Sequence, residues 1–547
     1  MKLFASLIVL LFGSLSFAIV DMKNANYSNS WIDLGLQGTG YDLKVSRTYN
    51  SRTLFSGMFG FGWCSEFETS INPTPEGNIL LRECGAGQEV VFSPASFSRK
   101  DKEQIVSSII NKVRAARPMN ESYYKELTNQ LLDSDSMRIK YAQEFGVKVP
   151  IKEGVVFKAN GREIENFTLG KDYYQRNLSD GSSMRFSRQG SLTTLFDKNG
   201  NFIKIDYDRD LIKEISDNNG RRLRFSFYPS KKVKSISGPN NLNVEYKFTN
   251  LDDLSYVKNS WNNEYNYTYD EAHNLTKATY PDGTFIGLQY DIKNDWVTSF
   301  TDRQKCIESY TYDSDKDDKG HFWSQVKKVC DKETVADNKY EFWHKKRADG
   351  ENYLQRVTFV VGGVTSDITY HEIFGKPTSI SKNGEKVTFE YFPDGLIKTK
   401  ASALSIVTYT YDATVKKISS VKTKFFNEKA KVAVIKVNTF KYDAKGNLVY
   451  AENSDGQKIT MSYDHKGRIS TIRDQAKKLV KIEYEERFGK PSIVTRPGLG
   501  TIQVTYKANG EISKVDSKEG PVVAMQVAST FNNLLDIIAP ASADVLN

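Results

Sequence analysis

Histidine and cysteine are scarce in this 547-residue sequence, with five and four copies, and that scarcity removes several chemistries. There is no His-Glu-x-x-His helix, no Gly-x-Ser-x-Gly elbow and no Gly-x-x-x-x-Gly-Lys-Ser/Thr loop, so the motifs of zinc proteolysis, serine hydrolysis and P-loop phosphate binding are missing. The cysteines lack CxxC spacing, and His273, His321, His344, His371 and His465 are scattered. No metal, cofactor or catalytic residue is expected. No apolar run reaches the ~20 residues that span a bilayer, so no transmembrane segment is expected. Lys+Arg 76 against Asp+Glu 67 is a mild excess. Its densest runs, Arg221-Arg222-Leu223-Arg224 and His344-Lys345-Lys346-Arg347, alternate with apolar residues or sit at turns, which speaks against nucleic acid as a partner. Attraction to anionic cell-envelope polymers fits such a surface.

What is present begins with Met1-Lys2, an apolar stretch from Leu3 to Phe12, and Gly13-Ser14-Leu15-Ser16-Phe17-Ala18, the order of a secretory signal peptide. Cleavage is expected after Ala18, leaving a net charge of 75 − 67 = +8 once Lys2 is lost. The expected location is outside the cytoplasm: periplasmic, cell-surface or secreted.

Thirty Tyr and 31 Phe give a chain rich in aromatics, unlike disordered segments. Aromatics followed by turn residues recur at Phe186, Tyr207, Tyr228, Tyr246, Tyr269, Tyr290 and Tyr312, with steps of 21, 21, 18, 23, 21 and 22. They resume at Tyr370, Tyr391 and Tyr411, then at Tyr442, Tyr463, Tyr484 and Tyr506. Such a period marks a repeat array. The best units are Tyr442-Asp443-Ala444-Lys445-Gly446-Asn447-Leu448 and Tyr463-Asp464-His465-Lys466-Gly467-Arg468-Ile469, flanked by alternating residues such as Ile459-Thr460-Met461-Ser462. Alternation predicts half-buried strands. Asp can open a turn by accepting backbone N–H groups, and Gly can close it in the left-handed region. Tyr-Asp pairs stand at Tyr207-Asp208, Tyr269-Asp270, Tyr290-Asp291, Tyr312-Asp313, Tyr411-Asp412, Tyr442-Asp443 and Tyr463-Asp464.

This Tyr-Asp-x-x-Gly-x-Leu series at a spacing near twenty-one resembles the YD repeat of the RHS, teneurin and Tc-toxin superfamily. Near the N-terminus, Arg47-Thr48-Tyr49-Asn50-Ser51 followed by Gly57-Met58-Phe59-Gly60-Phe61-Gly62-Trp63 is similar to the signature of the domain that commonly precedes RHS repeats, whose role is structural. The resemblance implies a mainly β fold: a spiralling antiparallel sheet or shell of hairpins. Longer members end in a self-cleaving segment and a toxin. Arg496-Pro497-Gly498-Leu499 lacks the Asp-Pro of that segment, and the tail from Gly520 is too short for an effector.

Between these regions, Ile105, Ile109 and Val113, then Tyr124, Leu127 and Leu131, fall at helical spacing with Pro118 between the runs, predicting a helical insertion that braces or gates one end of the shell. The expected division is 1–18 signal peptide, 19–97 N-terminal β domain, 98–150 helical insertion, 151–519 repeat region and 520–547 tail with a short helix.

Four cysteines allow three pairings. Opposed residues of a hairpin have a constant sum of numbers: 64 + 84 centres on Thr74 in a Pro-rich turn, and 306 + 330 centres on Asp318 in an acidic one. Cys64–Cys84 and Cys306–Cys330 are therefore predicted. Asp313-x-Asp315-x-Asp317 lacks the Gly and Glu that a calcium loop needs at its sixth and twelfth positions. The leading expectation is a non-catalytic structural or binding protein engaging a protein partner, a glycan or a separately encoded cargo. A carboxylate-based polysaccharide hydrolase and a toxin-related carrier shell are the alternatives.

Overall fold

The computed structural model describes residues 19–538 except 76, 85–87, 96–97, 150, 152, 163, 349, 427–432, 508–509 and 517–519. The expected signal peptide therefore lies outside the described residues. From Ser70 to Asp516 the chain builds one antiparallel sheet of 36 strands, each hydrogen-bonded to the next in sequence order. Lys458–Tyr463 shows why: Ile459 and Met461 point inward and are buried, while Lys458 and Ser462 face solvent, and a side-chain period of two buries one face only in a strand. The sheet spirals. Ser70 meets Ser191, and residues near Asn199 meet residues near Asn447, 248 positions later.

The sheet begins earlier than the repeats alone indicate, because Ser70–Pro73, Ile79–Glu83 and Gln88–Pro94 are its first strands. The helical segment interrupts it before Val156–Lys158, which pairs back onto Gln88–Pro94. That insertion holds three helices, α1 (Arg99–Ala116), α2 (Glu121–Asp133) and α3 (Asp135–Glu144), around a core of its own that includes Ile109, Val113, Leu127 and Leu131. α3 adds Ala142 to that core, with Met137 and Tyr141 packed against it, and is also anchored by the buried Arg138, whose guanidinium donates to the Leu131 carbonyl at 2.9 Å and pairs with Asp135.

The first strands, Ile19–Asp21, Asn26–Leu36, Leu43–Asn50 and Trp63–Cys64, form a separate small sheet. It lies inside the spiral, and Tyr27, Trp31, Tyr49 and Trp63 share one core with Tyr246, Tyr267, Leu275 and Phe300. At the other end α4 (Gly520–Ile538) packs on Leu448–Asn453, Lys458–Tyr463 and Gly500–Tyr506, burying Ile537 among Ile459, Met461 and Ile472. Among the described residues no helix is long and apolar enough to cross a membrane.

Candidate functional site

The repeat tyrosine is a link between hairpins. Most sit at a bulge, opposite the first residue after their own turn: Tyr269 faces Leu275, Tyr463 faces Ile469 and Tyr484 faces Pro491, whereas Tyr312 faces Ser324 in an unbulged ladder. Each hydroxyl donates backward to the carbonyl of the first residue after the preceding repeat's turn, as in Tyr269 to Leu254 (2.9 Å), Tyr290 to Leu275 (2.9 Å), Tyr312 to Val297 (2.7 Å), Tyr411 to Ile397 (2.8 Å), Tyr442 to Ile418 (2.7 Å), Tyr463 to Leu448 (2.7 Å), Tyr484 to Ile469 (2.8 Å) and Tyr506 to Pro491 (2.7 Å). Tyr207 bonds Leu192 likewise at 2.7 Å. A bulge perturbs the ladder locally, and the phenol supplies a donor there that Phe cannot. Burial pushes the Tyr411 and Tyr463 phenols up to about 12, so they remain donors at neutral pH.

The aspartates close the turns. Asp443 Oδ1 accepts from the N–H groups of Lys445 (2.9 Å) and Asn447 (2.8 Å), and Asp464 Oδ1 from Lys466 (3.0 Å) and Arg468 (2.9 Å). Asp270 and Asp412 act similarly, and Asp291 accepts from Asn294 at 3.1 Å. Gly446 and Gly467 take φ of 76° and 82° at the closing position. Two expected units depart from this. Asp208 stays in the ladder opposite Leu211, and Asp313 pairs with Trp323. There the strand runs on and Asp315 makes the turn, accepting from Asp317 (2.9 Å) and Asp318 (3.2 Å). The steps of 18 and 23 in the sequence also resolve: Phe227 and Phe248 occupy the bulges opposite Val233 and Leu254, whereas Tyr246 points inward and donates to Asp33 at 2.9 Å.

The N-terminal motif is a plug packed inside the early strands of the spiral. Arg47 is completely buried, its Nε 2.6 Å and Nη2 3.0 Å from the two Asp33 oxygens, and it donates to the Tyr267 hydroxyl at 3.0 Å. Its guanidinium lies over the rings of Trp63 (4.7 Å) and Tyr267 (5.3 Å). Burial alone would lower its pKa, but Asp33 beside it holds it above its ordinary value. Trp63 Nε1 donates to the Tyr269 hydroxyl (2.8 Å), and the Tyr49 hydroxyl accepts from the Leu275 N–H (2.8 Å). The plug thus reads the repeats directly. Ser51 Oγ accepts from the Tyr27 N–H, Asn50 from the Arg52 N–H, and Phe59 packs on Tyr246. Gly60 and Gly62 are both left-handed, and a Cβ on Gly60 would stand 2.8 Å from the Asp252 carbonyl. Glu68 pins Gly57 and its neighbours by accepting from Met58 N–H (2.7 Å) and Ser65 N–H (3.0 Å), and burial pushes its carboxyl up to about 7.

The loop around Thr39 reaches the seam where successive circuits meet. Lys198 donates to the Gly446 carbonyl (3.0 Å), Asn447 to Asn199 (2.9 Å) and Asn201 to the Lys466 carbonyl (3.1 Å). Thr39 Oγ1 accepts from Arg468 (3.2 Å) and its carbonyl from Asn219 (3.0 Å).

Cys306 and Cys330 bridge one hairpin whose register, Ile307 to Val329, has the expected sum. Cys64 and Cys84 are joined with Cα atoms 5.3 Å apart, but not as facing residues of one hairpin. The hairpin there pairs Ser70 with Arg82, while Cys64 pairs with Thr48 in the plug, so this bond staples plug to shell.

Sequence patterning did not single out Asp33, Glu68 or the ion-pair group of Glu83, Arg162, Glu165 and Arg176, in which Arg176 lies 2.8 Å from both carboxylates. Asp33 alone left a trace, a charge between the apolar Trp31, Ile32 and Leu34. A groove of about 1690 Å³ separates α1–α3 from the shell, lined by residues of both signs including Arg99, Lys102, Lys346, Glu351 and Asp394. Among the described residues no group of three or more His, Cys, Asp or Glu is placed to hold a metal. Not every aromatic is core: Trp323 and Trp343 are half-buried on the outer face, with Lys339 and Arg356 over their rings at 5.7 and 5.0 Å.

Bulged hairpins tied by tyrosine hydroxyls and wound around an internal plug define a structural YD-repeat shell. A family model described as Teneurin YD-shell matches residues 148–358, and one described as a domain of unknown function, DUF6531, matches 18–92. Teneurin-m of Drosophila melanogaster is 22% identical over 444 residues, covering 73% of this chain and 14% of that protein. The crystal structure of TcdB2-TccC3-TEV aligns with 94% of this chain and 29% of its own, at 10% identity and a TM-score of 0.42. A Photorhabdus luminescens Tc holotoxin pore aligns with 88% of this chain and 30% of its own, at 10% identity and 0.37. These matches support assignment of the chain as a member of the RHS/YD-repeat superfamily.

Proposed function

We propose that this chain is an exported, non-catalytic scaffold that engages a protein partner, an envelope glycan or a separately encoded cargo. One observation carries the reading: the chain caps both ends of its own spiral, with the Arg47 and Trp63 plug packed into the early strands and α4 on the last ones. Two disulfides fit an oxidising compartment. The test incubates the purified protein with peptidoglycan and envelope polysaccharides, following retention and soluble products. Retention without products supports the scaffold. Time-dependent product release abolished by a single carboxylate substitution would replace it with a hydrolase.

A further inference from the structure

The two ends of the long sheet are finished differently. At its start, Ser70 bridges Ser191 and the Ile71 N–H donates to the Gly190 carbonyl at 2.9 Å, so the first edge is sealed against the sheet's own later strands. At its end, Ile512–Asp516 pairs with Gly500–Tyr506, and among the described residues no strand pairs with its other side. All five residues are exposed, Ile512 at 58% and Val515 at 56%. Exposed edges in native sheets are usually blunted by charge. Here the Lys514 ammonium is 2.8 Å from the Asp516 carboxylate of the same strand, so the edge carries no net charge to repel another strand. α4 starts at Gly520 yet folds back over Gly500–Tyr506 and the strands near Tyr463, and leaves the edge bare.

The tyrosine links specify what fits there. Ile469 stands across the bulge from Tyr463, and its carbonyl accepts from Tyr484; Pro491 stands across from Tyr484 and accepts from Tyr506. Ile512 stands across from Tyr506 in the same way, and it is the position whose carbonyl a following repeat tyrosine would reach. We propose that Ile512–Asp516 is a docking edge that receives an extended strand of another polypeptide, continuing the antiparallel ladder and placing a tyrosine hydroxyl on the Ile512 carbonyl. The mode is strand addition, in which main-chain bonds give affinity and side chains give specificity. A second copy of the same edge carries no tyrosine in residues 512–516, so self-pairing leaves that carbonyl unanswered.

The inference rests on the scaffold reading and names its partner class. The test uses the full chain and a fluorescent synthetic peptide spanning residues 458–474, one of its own repeats, in an anisotropy titration. Saturable binding is expected, weaker by several-fold, about tenfold at most, when the peptide carries Tyr463→Phe. Binding should vanish in the chain variant Ile512→Lys/Val515→Glu, whose substitutions are at exposed positions and should leave circular dichroism and Tm unchanged. Equal binding of both peptides, undiminished binding by the variant, or no binding at all overturns the proposal. Concentration-dependent dimerisation of the wild-type chain, lost in the variant, would overturn it in favour of a second copy. A chain that is retained on glycans but ignores the peptide refutes the edge and not the scaffold, whereas product release refutes the scaffold whatever the peptide does.

Discussion

Arg47 shows how a residue legible as a motif acquires its meaning from a partner 14 positions away. Both it and Asp33 are wholly buried, and a buried charge left alone is far costlier than a paired one. Arg47→Ala should therefore destabilise by about 3–5 kcal/mol, while Arg47→Met/Asp33→Leu should recover most of that loss. Denaturant unfolding of the two variants checks it, and a double variant no more stable than the single would refute the pairing argument. Glu68 supplies the pH dependence. Its carboxyl is raised from 4.5 to about 7, so the folded state holds the proton more tightly than the unfolded one. The associated stability is fully present below 4.5 and is lost as pH rises through about 7. Tm should fall between pH 5 and pH 8 in the wild type, and Glu68→Gln should flatten that part of the curve; parallel curves for the two proteins would rule this group out.

Among the elements, hairpins were readable and their exceptions were not. Alternation and the Asp and Gly of Tyr442–Leu448 give strand, turn and strand locally, because those bonds close within five residues. α3 lies within the expected helical insertion but is not legible as a third run, because its core contacts (Met137, Tyr141, Ala142) are interleaved with the buried Arg138. The same contrast separates the disulfides: the Cys306–Cys330 register follows from hairpin arithmetic, whereas Cys64 lies opposite Thr48 in another sheet. Cys306→Ser/Cys330→Ser opens a bond with sequence separation 24 and should cost about 3 kcal/mol. Peptide mapping under non-reducing conditions provides the companion check, since any Cys306 peptide linked to Cys64 would contradict both pairings.

For the whole molecule the decisive contacts join residues hundreds of positions apart. At the seam a Cβ on Gly489 would stand 2.8 and 2.9 Å from the Thr39 Cα and N, at a φ of 66°. Backbone cannot yield as a side-chain tip can, so Gly489→Ala should loosen the seam. Hydrogen exchange should rise at residues 37–41 and 464–468 while the hairpins around Tyr269 keep wild-type protection; unchanged exchange at both seam segments would show that the circuits do not depend on this contact.

The amino-acid sequence by itself determined the repeat, its strands and most of its turns, because each is encoded by alternation and by an Asp or Gly within a few residues of the bonds it makes. It also determined the class, since Tyr463 and its counterparts recur at a fixed spacing. Only the tertiary structure decided that the N-terminal motif is an internal plug, that Phe227 and Phe248 rather than Tyr228 and Tyr246 hold the bulges, and that among the described residues the first edge is sealed while the last has no partner strand. Those outcomes depend on which residues the spiral brings together across separations such as the 248 positions between Asn199 and Asn447, and a local pattern carries no record of that distance.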